Sequence, residues 1–176
     1  FGQVSIDMIA GPSEILIVSD GRSDPAHVAA DMLSQAEHDR LASAVLVTDS
    51  PALAEAVRKE LERQIPLLSR AEIARESIDR RGRILITSDI AAAVEAANEL
   101  APEHLELCMD DPEAYLPLVR NAGSVFMGRY CPESLGDYLA GPNHTLPTSG
   151  TARFSSPLSV DDFIKKTQYT YYTKDA

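Results

Sequence analysis

Two stretches of the sequence place a histidine beside another group that can bind a metal or move a proton. Glu103 and His104 are adjacent, so a carboxylate and an imidazole stand side by side and could divide general-base work between them. Gln35 and His38 are three residues apart, which on a helix puts both on one face. An amide oxygen and an imidazole nitrogen would then be available to one ligand.

A third stretch, residues 132–150, is long, polar and interrupted by glycine and proline, and it carries Asp137 and His144. Compact domains rarely keep a loop of this length unless it has a function. Gln35, His38 and Asp137 together would offer a metal oxygen, nitrogen and oxygen donors. Carboxylate and imidazole suit zinc, whereas an amide oxygen is a less usual zinc ligand, so the pattern leaves zinc, manganese and iron open.

Each of these features also has a simpler interpretation. Gln35 could lie on the surface, with His38 interacting only with the dipole of a helix end. Glu103 and His104 could belong to a polar loop before an edge strand. Gly11-Pro12-Ser13 reads as an ordinary turn when its spacing is considered alone.

Short apolar runs alternate with segments of helical periodicity, and this alternation predicts the elements that must position these residues. We expect strands near residues 14–18, 43–48, 83–87, 104–109 and 123–127, the fourth of them half buried. We expect helices over residues 25–38, 51–61, 69–79, 89–100 and 112–121, and a short helix capped by Ser159. This order predicts a Rossmann-like, doubly wound α/β fold, with a mostly parallel sheet and helices on both faces.

In open α/β sheets, ligands usually bind beyond the carboxyl ends of the strands. Gly11-Pro12-Ser13 precedes the first strand instead of following it, and Glu103 stands where a helix gives way to a strand. No two glycines are two residues apart, so the G-x-G-x-x-G fingerprint is absent. A dinucleotide held by a fingerprint of this chain is therefore not expected.

The bulk composition excludes some partners. The chain has 176 residues and a net charge of −11, from 16 Lys and Arg against 27 Asp and Glu. Nucleic acids and anionic membranes select basic surfaces, so neither is an expected partner. Cys108 and Cys131 have no metal-binding or redox spacing, no apolar run could span a bilayer, and no signal peptide is visible, so we expect a cytoplasmic location.

Taken together, the motifs resemble the histidinol dehydrogenase family over essentially the whole chain. They are Ala10-Gly-Pro-Ser-Glu14, Ser34-Gln-Ala-Glu-His38, Pro102-Glu-His-Leu105, Ala122-Gly-Ser-Val-Phe126, Glu133-Ser-Leu-Gly-Asp137, Gly141-Pro-Asn-His-Thr-Leu-Pro-Thr-Ser-Gly150 and Leu158-Ser-Val-Asp-Asp-Phe163. Together they are highly specific, although no single motif would be.

The resemblance implies a homodimeric enzyme that oxidises L-histidinol to L-histidine through the aldehyde, with two NAD and a bound zinc ion. It implies that His104 is the general base and that Glu103 activates water for the second oxidation. The implied zinc ligands are Gln35, His38 and Asp137. The implied substrate contacts are Ser13, Gln35, His38, His104 and Asp137. His144 resembles a histidine of the same site, with its role left open.

The chain departs from the family in what it lacks. The family's large N-terminal portion supplies most NAD contacts, and its C-terminal tail supplies a histidine ligand of zinc and a substrate-binding glutamate to the other subunit. We therefore expect the chain alone to be inactive or nearly so, with weak zinc affinity. We expect residues 1–152 to form the Rossmann-like domain that carries the site, and residues 153–176 to lead toward the absent remainder.

Two other functions fit the residues. One is a related metal-dependent dehydrogenase of another amino alcohol, which substrate comparison would distinguish. The other is a non-catalytic α/β binding module, which predicts no zinc and no effect of His38→Ala on ligand binding.

Overall fold

The computed structural model describes residues 3–4, 6–8, 10–138 and 140–175. Its strands, β1 to β5, are Glu14–Ser19, Ser43–Thr48, Arg83–Ile86, His104–Cys108 and Ser124–Met127. Its α-helices, α1 to α5, are Pro25–Ala36, Pro51–Gln64, Ala71–Arg81, Ile90–Leu100 and Ser134–Tyr138. Most of the predicted elements are present, and their ends lie within a few residues of the predicted ones.

In the described part of the chain the five strands form one all-parallel sheet with the order β3-β2-β1-β4-β5. Helices α1, α2 and α3 cover one face, over a core that includes Ile15 and Ile17. Helix α4 covers the other face, over Leu16 and Leu105. The predicted Rossmann-like α/β fold is therefore confirmed.

The predicted capping residues begin three of the helices. The Asp24 side chain accepts a hydrogen bond from the Ala26 amide, with Pro25 in the first turn of α1. Ser50 caps α2 in the same way, and Asp89 caps α4. Each cap satisfies an amide that the helix itself leaves without a partner, which typically stabilises a helix by about 1 kcal/mol.

Three predictions about local structure were wrong. The helix predicted over residues 112–121 is two short 3-10 turns, because Pro117 lacks an amide hydrogen and its ring would clash within an α-helix. Strand β4 is buried along its whole length instead of half buried, because β1 and β5 flank it. The stretch over residues 132–150 is not all loop, since it contains α5.

At the carboxyl ends of β1 and β4, where the strand order reverses, Arg129 lies in the usual binding crevice. Its Nη2 lies 2.7 and 2.8 Å from the two carboxylate oxygens of Asp20, and its other nitrogens contact Asp110 and Ser23. The hydrogen bond to Asp110, followed by that to Asp20, raises the pKa of Arg129. This end of the sheet is thus occupied by an internal ion-pair network.

The C-terminal segment, residues 153–175, is mostly exposed and carries a 3-10 turn over Val160–Phe163. Ser159 caps that turn as predicted, and Asp162 completes a reciprocal capping box. The aromatic side chains of this segment are largely open to solvent: Phe154, Phe163, Tyr169, Tyr171 and Tyr172. Among the described residues, no helix is both long and apolar enough to cross a bilayer.

Candidate active site

The candidate catalytic residues lie at the amino-terminal ends of the strands. The general rule for α/β sheets places binding sites at the opposite, carboxyl ends. His104 is the first residue of β4, Glu14 is the first residue of β1, and Ser124 is the first residue of β5. The register aligns Ile15 with His104 and His104 with Ser124. The residues around His104 are therefore fixed by three neighbouring strands, and because β4 lies between β1 and β5, the interpretation as a loop before an edge strand is excluded.

His104 is buried, and its ring is held by the main chain of the neighbouring strand. Nδ1 lies 2.8 Å from the carbonyl oxygen of Glu14. Because a carbonyl oxygen can only accept, Nδ1 carries the hydrogen, and Nε2 is left as the basic nitrogen of the neutral ring. The ring of Phe126 packs beside it with centroids 6.0 Å apart. The fold therefore selects the tautomer in which Nε2 can take up a proton.

Glu103 lies on the Nδ1 side of this ring, as its place in the sequence requires. Its Oε2 accepts a hydrogen bond of 3.0 Å from the Glu14 amide and lies 3.5 Å from Nδ1 of His104. Its carbonyl oxygen accepts from the Ser124 amide. Gly123 permits this approach, because a Cβ there would lie 2.5 Å from that carbonyl oxygen. The structure thus brings the two predicted catalytic residues together.

A second glutamate, which the sequence reasoning did not single out, lies on the other side of the ring. Oε1 of Glu133 is 3.6 Å from Nε2 of His104, and the side chain is only 2% exposed. In the sequence, Glu133 stands just before α5, where an acidic residue ordinarily stabilises a helix start. Nothing local distinguishes it from such a residue, and only its contact with a residue on β4 indicates a different role.

Two further carboxyl groups that the sequence reasoning missed lie behind Glu133. The side chains of Asp31 on α1 and Glu106 on β4 are hydrogen-bonded to each other. Burial, and then the charge of Asp31, raises the pKa of Glu106 well above its ordinary value. Burial likewise raises the pKa of Asp31, to about 6. Since Oε1 of Glu106 accepts from the Glu133 amide at 2.8 Å, this pair anchors the start of α5.

An open pocket of about 490 Å³ adjoins His104 between β5 and the segment that follows α5. It is lined mainly by apolar groups, with His144 and Asn143 on its rim. Gly136 allows α5 to lie against Phe126, because a Cβ there would be 2.8 Å from the ring. His144 is therefore near His104, as expected of a residue of the same site.

The chain before β1 is tied to the far end of the same segment. Gly11 donates its amide hydrogen to Oγ1 of Thr148 at 2.8 Å, and the Ser149 amide donates to Oε1 of Glu14 at 3.1 Å. Burial raises the pKa of Glu14 despite this hydrogen bond. Ser13, a predicted substrate contact, is half buried between these attachments. Its position at the amino-terminal edge agrees with the prediction but does not test the contact.

The predicted metal ligands of α1 lie at its C-terminal end. Gln35 is 2% exposed, whereas His38 is exposed and its carbonyl oxygen accepts from Arg70. Ser34 contacts Oε2 of Glu133 at 3.3 Å, which places this end of α1 against the start of α5. The side chain of Asp137, on α5, lies outside the described residues.

This arrangement fits a metal ion in donor chemistry and in the placement of its elements. Two helix segments meet that carry an amide oxygen, an imidazole nitrogen and a carboxylate, all of which zinc accepts. Among the described side chains, no group of three or more His, Cys, Asp or Glu is placed to hold a metal. That search does not cover the predicted ligands, because Gln35 is a glutamine and the side chain of Asp137 lies outside the described residues. Gln35, His38 and Asp137 therefore stay a predicted ligand set.

The fold and site define a class: a Rossmann-like α/β domain in which a histidine fixed by the strands lies between two carboxylates. The family model of histidinol dehydrogenase matches residues 1–176, the whole chain. The chain belongs to the histidinol dehydrogenase family.

Individual relatives agree with this assignment. The chain is 58% identical over 175 residues to the histidinol dehydrogenase of Syntrophotalea carbinolica, covering 99% of this chain and 41% of the relative. It is 56% identical to that of Geobacter metallireducens, with 99% and 40% covered. A crystal structure of histidinol dehydrogenase from Elizabethkingia anophelis superimposes with a TM-score of 0.92 at 41% identity, over 98% of this chain and 40% of that one. The chain thus spans about two-fifths of the length of these relatives.

Proposed function

We propose that the chain is the segment of a histidinol dehydrogenase that carries its acid–base residues and most of its zinc ligands. The reaction is the oxidation of L-histidinol to L-histidine through the aldehyde, the last steps of histidine biosynthesis. The observation that carries the proposal is the placement of His104, with Nδ1 bound to Glu14 and Nε2 as the free basic nitrogen.

In the first oxidation, the carbinol hydroxyl gives its proton to Nε2 of His104 while the hydride leaves the carbon. A histidine base suits this step because its charge changes near neutral pH. The hydrogen bond from Nδ1 to the Glu14 carbonyl keeps the ring oriented throughout. The apolar pocket beside the ring offers the substrate a mainly apolar wall, and Ser13 would contribute a substrate contact from the chain before β1.

In the second oxidation, Glu103 assists addition of water to the aldehyde, since hydration needs a base that takes a proton from water. Its carboxylate lies 3.5 Å from Nδ1 of His104, on the side of the ring away from Nε2, so the second base is close to the first but does not share its position. Each base then serves one half of the reaction.

Gln35, His38 and Asp137 would hold zinc and, through it, the substrate. When bound, zinc supplies a fixed positive charge that orients the substrate and favours its ionised form, and NAD supplies the hydride acceptor. The remaining contacts, including a further zinc ligand, come from the rest of a homodimeric assembly. The division at residue 152, the cytoplasmic location and the inactivity of the chain alone belong to the same proposal.

The test uses a hybrid enzyme in which the chain replaces the matching 175-residue stretch of the Syntrophotalea carbinolica enzyme, to which it is 58% identical. We expect the hybrid enzyme to reduce NAD with L-histidinol, and His104→Gln to lower kcat about 10²- to 10⁴-fold. His27→Gln, a change on the exposed start of α1, is the matched control and leaves kcat unchanged.

Three results would contradict the proposal. A His104→Gln hybrid enzyme of normal kcat would remove the assigned base. A hybrid enzyme that is inactive with L-histidinol but oxidises other amino alcohols would favour the related dehydrogenase instead. A folded hybrid enzyme that oxidises none of them would favour the non-catalytic module.

A further inference from the structure

One oxygen atom in the site is buried without a hydrogen-bond partner in the described part of the chain. Oε1 of Glu133 has no hydrogen-bond partner among the described residues, although Glu133 is 2% exposed. The amide of the residue donates to Glu106, and Oε2 lies 3.3 Å from the Ser34 hydroxyl, which also donates to the Asp31 carbonyl oxygen at 2.7 Å. A buried carboxylate oxygen without a partner costs free energy, and such an atom is typical of a functional position.

The nearest nitrogen to this oxygen is the one that the fold leaves basic. Nε2 of His104 lies 3.6 Å from Oε1, slightly beyond a hydrogen bond. In the neutral ring Nε2 is a lone-pair acceptor, because the hydrogen is on Nδ1. Two acceptors face each other, so the contact becomes favourable only when Nε2 gains a proton. Catalytic hydrogen bonds are often long before substrate binds.

We propose that Glu133 is a positioning residue for the proposed reaction, and that it pairs with the imidazolium formed when His104 takes the substrate proton. The proton moves from the carbinol oxygen to Nε2, and the new Nε2–H then donates to Oε1 of Glu133. The inference rests on the proposed function for its catalytic part, whereas the pairing itself is a property of this chain.

The neighbours of Glu133 hold its carboxylate in the place that this role needs. Glu106 on β4 accepts from the main-chain amide of Glu133 and fixes where the side chain starts, and turning the side chain away would lose the 3.3 Å contact of Oε2 with Ser34 on α1. His104 is fixed independently by β1. Asp31 and Glu106 bond to each other and therefore do not replace Glu133 as partners of the ring.

The pairing is tested on the 176-residue chain, labelled with ¹⁵N-histidine. There are only four histidines, so His104 is assigned by the signal lost in His104→Gln. We expect Nδ1 to be protonated, and we expect the Nε2 signal to change in Glu133→Gln because its facing carboxylate oxygen is removed. Glu113→Gln removes an exposed carboxylate and is the matched control. An Nε2 signal that Glu133→Gln leaves unchanged would overturn the pairing.

The catalytic part is tested in the hybrid enzyme. We expect Glu133→Gln to lower kcat about 10- to 100-fold with KM within about twofold. Its melting midpoint should be no lower than that of the unmodified protein, because glutamine keeps the shape and removes a buried charge. If glutamine prevents folding, Glu133→Asp, which withdraws Oε1 by one methylene, should lower kcat in the same way.

The outcomes separate this inference from the proposed function. If His104→Gln abolishes turnover and Glu133→Gln has normal kcat, the function stands and the role of Glu133 is wrong. If the unmodified hybrid enzyme does not oxidise histidinol, the function fails, and the NMR comparison alone decides the pairing. A lower midpoint with unchanged NMR signals would assign Glu133 a structural role and overturn the inference.

Discussion

His104 and Glu14, which are 90 residues apart in the sequence, are joined by a 2.8 Å hydrogen bond between Nδ1 and the Glu14 carbonyl oxygen. The contact exists because β4 pairs in parallel with β1 and starts beside it. A main-chain acceptor cannot be removed by changing a side chain. The tautomer of the proposed base is therefore set by the pairing of β4 with β1.

Glu103→Gln should slow the second oxidation more than the first. Removing this carboxylate takes away the base for hydration while His104 keeps its hydrogen bond to Glu14, so oxidation of the aldehyde should slow about 10²-fold more than oxidation of the alcohol. The measurement is the amount of NADH and trapped aldehyde formed per histidinol by the hybrid enzyme. Equal slowing of both steps would contradict the separate roles, and Glu113→Gln serves as the control.

Zinc binding by the chain itself should depend on His38. Calorimetry with zinc alone is expected to detect weak binding, and His38→Ala should weaken it more than about tenfold because one of three donors is lost. His27→Ala changes an exposed histidine near the start of α1 and should leave the affinity unchanged. Equal effects of the two substitutions would remove His38 from the metal site.

The buried carboxyl groups of Asp31 and Glu106 should make the free energy of unfolding fall as the pH rises. The pKa of Asp31 is raised to about 6, so the folded chain binds its proton more tightly than the unfolded chain does. The resulting stability is present below the ordinary pKa of 3.8 and is lost as the pH rises through 6. Between pH 5 and 7, the free energy of unfolding should fall by about 1 kcal/mol from this group alone.

Urea titrations at several pH values measure this dependence. Charges facing Asp31 come from His27, Glu106 and Glu133, and the pKa of Glu106 is raised as well, which steepens the fall. Asp31→Asn should flatten the dependence, whereas Asp175→Asn, at an exposed position, should not. The contradicting result is a free energy of unfolding that rises from pH 5 to 7 in the wild type, with the same slope in Asp31→Asn. It would show that the pKa of Asp31 is not raised.

Arg129→Lys should destabilise the chain by about 2 kcal/mol, because lysine cannot reproduce the paired contact with Asp20 and leaves a largely buried network incomplete. The side chain of Arg129 is 12% exposed, whereas that of Arg22, which also pairs with Asp20, is 71% exposed. Arg22→Lys should therefore change stability by less than about 0.5 kcal/mol. Chemical denaturation of both variants measures the free energies of unfolding. Equal effects would show that the network around Arg129 adds little to that free energy.

Much of the fold could be predicted because local signals agreed with the tertiary structure. Short apolar runs gave all five strands, and the capping residues Asp24 and Asp89 gave helix starts to within a residue. Two of these predictions failed for reasons that the apolar pattern does not contain. Pro117 stopped a helix, and the burial of β4 depended on its neighbours in the sheet, which periodicity does not specify.

The candidate site was less predictable because its contacts are long-range. Adjacent Glu103 and His104 could be recognised from their types. Glu133 and Asp31 could not, because each looks like an ordinary acidic residue of a helix until α1, β4 and α5 are brought together. The general rule points to the carboxyl ends of the strands, whereas the positions of Gly11-Pro12-Ser13 before β1 and of Glu103 before β4 already indicated the amino ends.

The most direct test of the central claim is a crystal structure of the hybrid enzyme with zinc and L-histidinol. We expect zinc on Gln35, His38 and Asp137, and the carbinol oxygen within hydrogen-bonding distance of Nε2 of His104. An ordered site in which zinc binds elsewhere, or in which the carbinol oxygen lies far from Nε2, would contradict the account.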